Sequence, residues 1–248
     1  MFSTETFTVG AWVSLADPVV AEMVAPDAEF VMLDTEHAPN STATIANQIR
    51  AIEAADGDAV PLARALDNDT GAIKRLLDVG ARGVMVPMVE SATETREAVE
   101  AARYPPEGSR GVAGTRASAY GRDLGEYVAT ANDEITLVVQ IETQTGLDNV
   151  DEIAAVDGGD ALFVGPADLS ANLGVFGQFE SDVFRGAVET ILAAGGETAT
   201  PVGTLATSPE GVDRYCAWGF DYLIAGTDAG HIQRGVSNLG ERAREQVE

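Results

Sequence analysis

Apolar residues along this chain gather in short runs, and the segments between them repeat apolar positions at helical spacing. The runs are Phe7–Val13, Phe30–Leu33, Ala59–Ala63, Gly83–Pro87, Ile135–Ile141, Ala161–Val164, Ala199–Thr204 and Tyr222–Ala225. Several are continuous Val, Ile, Leu and Ala stretches without polar alternation, the pattern of parallel strands covered on both faces. Asp17-Pro18 and Ser208-Pro209 each set a capping residue before a first-turn proline. Ser91 and Glu94 stand at capping-box spacing and open a helix running to about Arg103. Ile45, Ile49 and Ile52 keep helical spacing, as do Ile73, Leu76 and Leu77, with Gly80 as the C-terminal cap of the second group. Residues 181–194 and 228–243 are also helix-like. Eight strands alternating with helices over 248 residues predict an α/β fold, a single (β/α)8 barrel spanning residues 1–248. A doubly wound open sheet is the structural rival. No G-x-G-x-x-G follows any strand, so nothing marks a dinucleotide site and NAD is not expected.

Composition narrows the chemistry. The lone Cys216 excludes an internal disulfide framework and any multi-cysteine metal site. Fourteen arginines stand against a single lysine, Lys74, which falls in the helix-like stretch Gly71–Leu77. Schiff-base chemistry, with a keto acid or with pyridoxal phosphate, requires a lysine. Lys74 reads as a solvated surface charge, so imine chemistry is not expected. The net charge of −25 repels phosphate backbones and anionic lipids, which argues against nucleic acid and membrane partners. The acidic residues are spread without a block of five or six, and with almost no lysine they read as adaptation to high salt, where counter-ions screen self-repulsion. No apolar stretch approaches a membrane span and Met1–Thr8 lacks the features of a secretory signal, so a cytoplasmic protein is expected.

In a barrel, reactive groups stand at the C-terminal ends of strands. Reading each predicted end brings Asp34, Glu36, His37, Arg64, Gln140, Glu142 and Asp168 to one rim. Glu142 and Asp168 end adjacent strands, and two carboxylates so placed hold a hard divalent cation that keeps positions for water or substrate oxygen. Strand alternation points Gln140 the same way as Glu142. His37 follows a strand beside Asp34 and Glu36, which can orient its ring for proton transfer. Arg64 ends a buried strand and needs an anionic partner, either a rim carboxylate or a bound anion. Asp78 stands late in a helix, where a solvated face is the plain reading. His231 opens the last helix and reads as surface or interface. The longest irregular stretch is Tyr104–Leu124, with Pro105-Pro106 and Arg110, Arg116 and Arg122; a loop that long in a compact domain is usually functional.

At these residues the sequence resembles the HpcH/HpaI aldolases, metal-dependent pyruvate aldolases similar to 4-hydroxy-2-oxoheptanedioate aldolase. The matching stretches are LDTEHAPN (33–40), IKRLLDVGARGVMVPMVESATETREAV (73–99), ARYPPEGSRGV (102–112), VVQIETQTGLDNVDEI (138–153) and LFVGPADLSANLG (162–174). The resemblance implies a homo-oligomeric barrel, a hexamer or trimer, with the C-terminal helix, about 228–243, exchanged between subunits. It implies Mg2+, Mn2+ or Co2+ on Glu142 and Asp168, chelated by pyruvate, with Arg64 stabilising the enolate oxygen. His37, helped by Asp78, would move protons. Asp34, Glu36 and Gln140 would support the site, the turn Gly165, Pro166, Ala167 and Asp168 would hold the pyruvate carboxylate, and Leu205 would bind substrate. The implied reaction is reversible retro-aldol cleavage of a 4-hydroxy-2-oxo acid to pyruvate and an aldehyde. Two features depart from the family pattern. The chain reaches strand one almost directly, so the family's N-terminal helix is largely missing and the barrel bottom is expected to close differently. His37 and Arg64 stand 27 residues apart, so the second helix or its following loop, Asp56-Gly57-Asp58, carries an insertion. The choice of aldehyde is expected to rest on the Arg110–Arg122 loop, with a neighbouring subunit as a further contributor. Two further readings stay open: an acyl-CoA lyase of the citramalyl- or malyl-CoA type, disfavoured by the scarcity of basic residues, and a barrel that binds a metal or 2-oxo acid without turnover.

Overall fold

The computed structural model describes residues 1–247 and is a closed barrel of eight parallel strands in sequential order. The strands are β1 (Thr8–Val13), β2 (Phe30–Asp34), β3 (Val60–Arg64), β4 (Gly83–Val86), β5 (Thr136–Ile141), β6 (Ala161–Val164), β7 (Val202–Ala206) and β8 (Tyr222–Thr227). The helices are α1 (Pro18–Val24), α2 (Thr42–Ala54), α3 (Thr70–Asp78), α4 (Ala92–Ala102), α5 (Leu124–Glu134), α6 (Gln144–Asp148), α7 (Val150–Ala154), α8 (Pro166–Asn172), α9 (Asp182–Thr198), α10 (Pro209–Trp218) and α11 (Asp228–Glu245). Helix starts follow the expected capping chemistry. Asp17 accepts from the Val19 N–H and Ser208 from the Gly211 N–H, each beside its first-turn proline. Ser91 accepts from the Glu94 N–H as a capping box requires, but the Glu94 carboxylate reaches the Glu90 N–H instead of that of Ser91. Strand β7 starts at Val202 rather than at Ala199, because α9 runs on to Thr198 and Ala199 turns left-handed to cap it.

Two apolar layers follow from strand alternation. Residues such as Val31, Leu33, Ala63, Val84, Val139 and Val164 face outward into the helices, while Trp12, Phe30, Met32, Leu62, Met85, Val138, Phe163, Tyr222 and Ile224 fill the barrel interior. Aromatic rings need room, and small residues supply it: a Cβ on Gly10 or Gly203 would overlap the rings of Phe30 and Tyr222. At the lower end Phe2 stacks on Tyr222, ring centroids 3.9 Å apart, and meets Phe30 edge-on. The N-terminal segment therefore packs an aromatic plug under the barrel. At the upper end Asp228 accepts hydrogen bonds from Ser14 N–H and Oγ and from Leu15 N–H, tying β8 to β1. Helix α11 is unlike the rest, because of its 18 residues only Asp228 is buried. No helix of the described residues is long and apolar enough to cross a membrane.

Candidate active site

The same alternation that fills the barrel interior places polar residues on its top layer. In β2 the inward series Phe30, Met32 ends in Asp34; in β3 the series Val60, Leu62 ends in Arg64; in β5 Val138 leads to Gln140 and then Glu142. Asp34 and Arg64 are register partners on neighbouring strands. The Arg64 fork closes on the Asp34 carboxylate with Nε to Oδ1 at 2.9 Å and Nη2 to Oδ2 at 2.8 Å. Its remaining Nη1 meets Glu36 Oε2 at 2.5 Å, and the guanidinium lies over the Trp12 ring, 4.6 Å from its centroid. Trp12 is thus the floor between the polar rim and Phe163 below. Sequence reading missed Trp12 as a site residue, although its inward place on β1 was a signal that could have found it.

Glu142 is buried at the mouth. Its Oε1 accepts from the Met88 N–H at 2.8 Å and its Oε2 from the Gln140 amide. Met88 was also missed: it holds a left-handed backbone, φ 55°, in the turn after β4, a strain that no pattern of residue types announces. Burial pushes the Glu142 carboxyl up to about 7; the Met88 hydrogen bond opposes the rise, and the charges of Asp168 and Glu36 add to it. Burial likewise raises Glu36, against the pull of Arg64. Asp168 stands in the first turn of α8 and is exposed at the rim. Gly165, just before that helix, has no room for a side chain: a Cβ there would meet Glu142 Oε2 at 2.5 Å and Gln140 Nε2 at 2.7 Å.

This donor set fits a hard divalent cation. Burial raises the carboxyls of Glu36 and Glu142, the charge of Asp168 adds to both, Arg64 opposes both, and Gln140 Oε1 is buried without a hydrogen-bond partner. Among the described residues no three histidine, cysteine or carboxylate side chains form a ready-made cage. A cation here would take Glu142 and Asp168 and complete its shell with water or substrate oxygen.

The other expected residues fall as follows. His37 is exposed at the rim, its Nε2 3.8 Å from Glu36 Oε2. Leu205 is half-buried against the interior cluster at the end of β7, while Pro166 and Ala167 form the turn into α8. Lys74 is exposed on α3, outside the barrel. His231 is exposed and bonds through Nε2 to the Ala225 carbonyl. Asp78 is not brought to His37 within the chain. It ends α3, which descends from the rim toward the start of β4, and it pairs with Arg110 at 3.1 Å. Arg110 is buried beneath Tyr104 and Tyr127, and Arg116 bonds the Val79 carbonyl and Glu53. The loop expected to choose the aldehyde therefore packs against the lower ends of α2 and α3, and does not line the mouth of its own barrel.

Known proteins share this chain's fold and much of its sequence. The model of the HpcH/HpaI aldolase/citrate lyase family matches residues 8–234. The chain is 41% identical over 239 residues to a hydroxypyruvate/pyruvate aldolase of Delftia acidovorans, covering 93% of this chain and 86% of that protein. It is 37% identical over 235 residues to a 5-keto-4-deoxy-D-glucarate aldolase of Salmonella arizonae, covering 94% and 91% of the two chains. Among solved structures, an HpcH/HpaI aldolase/citrate lyase family protein of Burkholderia cenocepacia superposes with a TM-score of 0.93 at 35% identity, covering 97% of this chain and 95% of that one. Barrel, rim and relatives lead to one conclusion: the chain belongs to the HpcH/HpaI aldolase/citrate lyase family and is a carbon–carbon lyase of the aldolase type.

Proposed function

We propose that this chain uses a divalent cation, Mg2+, Mn2+ or Co2+, to cleave a 4-hydroxy-2-oxo acid reversibly into pyruvate and an aldehyde. The observation that carries this reading is the buried Glu142 carboxylate, coupled to Asp168 and set beside the guanidinium of Arg64. Glu142 and Asp168 would hold the cation, which when bound draws electron density from the keto acid's carboxylate and C2 carbonyl. Arg64 adds a fixed positive charge toward the C2 oxygen; Asp34 locks its plane and Trp12 supports its face. Backbone N–H groups of the Gly165–Asp168 turn would receive the substrate carboxylate, with Leu205 against the methyl end.

His37, oriented by Glu36, takes the proton of the C4 hydroxyl. The C3–C4 bond then breaks, the aldehyde leaves, and its bonding pair passes to the enolate of pyruvate, whose C3 is reprotonated. Without a lysine at the mouth, the charge on that enolate has to be met electrostatically. The test is an aldol assay with pyruvate and an aldehyde panel at high salt, with and without EDTA. Activity is expected to vanish on chelation and return with Mn2+. Activity surviving thorough chelation, or a borohydride-stable pyruvate adduct on Lys74, overturns the reading.

A further inference from the structure

Next to the rim lies a cavity of about 300 Å3 walled by Glu36, Leu66, Asp67, Met88, Glu94 and Glu97. We propose that it is the subsite for the aldehyde and that it selects a neutral, hydroxylated aldehyde over one bearing a carboxylate. This rests on the aldolase reading above and adds the class of the second substrate.

Position argues first. Two walls of the cavity are groups that touch the reacting site: Glu36 pairs with Arg64, and Met88 gives its N–H to Glu142. A chain extending from the carbon bonded to pyruvate C3 therefore enters between them. In the synthetic direction the enolate C3 bonds to the aldehyde carbon, and the aldehyde oxygen gains the proton that His37 returns.

Charge argues second. The walls carry four carboxylates and no lysine or arginine. Glu36 is occupied by Arg64, and the Glu94 carboxylate by the Glu90 N–H at 2.7 Å. Asp67 and Glu97 enter no ion pair among the described residues. The nearby amide of Asn68 is spent on the Glu94 carbonyl, so it offers those two no compensation. A carboxylate entering here meets like charge, whereas hydroxyl groups find free acceptors. Leu66 and Met88, 58% and 50% exposed, give the carbon chain an apolar surface.

The test compares kcat/KM for glyceraldehyde and succinic semialdehyde with pyruvate and Mn2+, in the wild type and in the Asp67→Asn, Glu97→Gln double variant. Deuterium uptake into pyruvate C3 is followed in the wild type without any aldehyde. The wild type is expected to favour glyceraldehyde by about tenfold or more, and the double variant to narrow that ratio to about threefold or less. Equal use of both aldehydes, preference for the carboxylated one, or a ratio the double variant leaves unmoved overturns the proposal. Exchange of pyruvate protons with rejection of every neutral aldehyde also overturns it while leaving the pyruvate half standing. Absence of exchange removes the aldolase reading and this proposal together.

Discussion

Arg64 is buried with Asp34 and Glu36 on its fork and Trp12 under its plane. Removing it by Arg64→Ala strands two carboxylates at the mouth, and breaking a buried pair in this way costs about 3–5 kcal/mol. Urea unfolding should show that loss, while Arg64→Lys should recover most of the stability but not the aldol rate, because an ammonium lacks the two parallel donors. Glu142 sets a pH dependence of its own. Its carboxyl is raised to about 7, so it is protonated below that and charged above it. In the metal-free protein the raised value means that Glu142 contributes less to stability as pH rises from its ordinary range through 7. Cation binding needs the charged form, so Mn2+ affinity measured calorimetrically should climb as pH rises toward 7 and level off above it. In Glu142→Gln that slope should disappear along with most of the affinity.

At the scale of elements, Asp34, Arg64 and Gln140 take their places from the strand parity that also builds the core. Inward positions low in β2, β3 and β5 are Phe30, Leu62 and Val138; the top inward positions are Asp34, Arg64 and Gln140. That series was readable in the sequence, since parity and strand ends are local properties. The turns between strand and helix were less readable. Gly165 has an ordinary φ of −80°, so the backbone would accept alanine, yet the Cβ would strike Glu142 and Gln140. Gly165→Ala should therefore keep the far-UV circular dichroism of the barrel and lose Mn2+ binding at least as severely as Asp168→Ala. Full binding by Gly165→Ala would show that the close approach has no bearing on the site. The Tyr104–Leu124 stretch was recognisable as a long loop, but its destination was not, because Arg110 and Arg116 find Asp78 and Glu53 only through packing.

For the whole molecule two properties decide behaviour in solution. The first is the charge of −25 on 248 residues, which makes self-repulsion a large term in dilute buffer. The halophilic reading expects the thermal midpoint to rise between dilute buffer and molar KCl; an unchanged midpoint would remove it. The second is α11, which turns Ile232, Val236 and Leu239 outward on a helix buried only at its first residue. We propose that this helix packs on another subunit. Light scattering should then show an oligomer that shrinks when Ile232, Val236 and Leu239 are replaced together by serine.

The sequence by itself determined the barrel and which polar residues end its strands, because hydrophobic period, capping residues and strand ends are written in neighbouring positions. It also placed the single lysine on a helix, Lys74 on α3. Only the tertiary structure decided that Asp78 pairs with Arg110 within the chain, that Trp12 carries Arg64, and that Met88 and Gly165 frame Glu142. Those are contacts between segments far apart in the chain or consequences of backbone angles, and no local pattern of residue types records either.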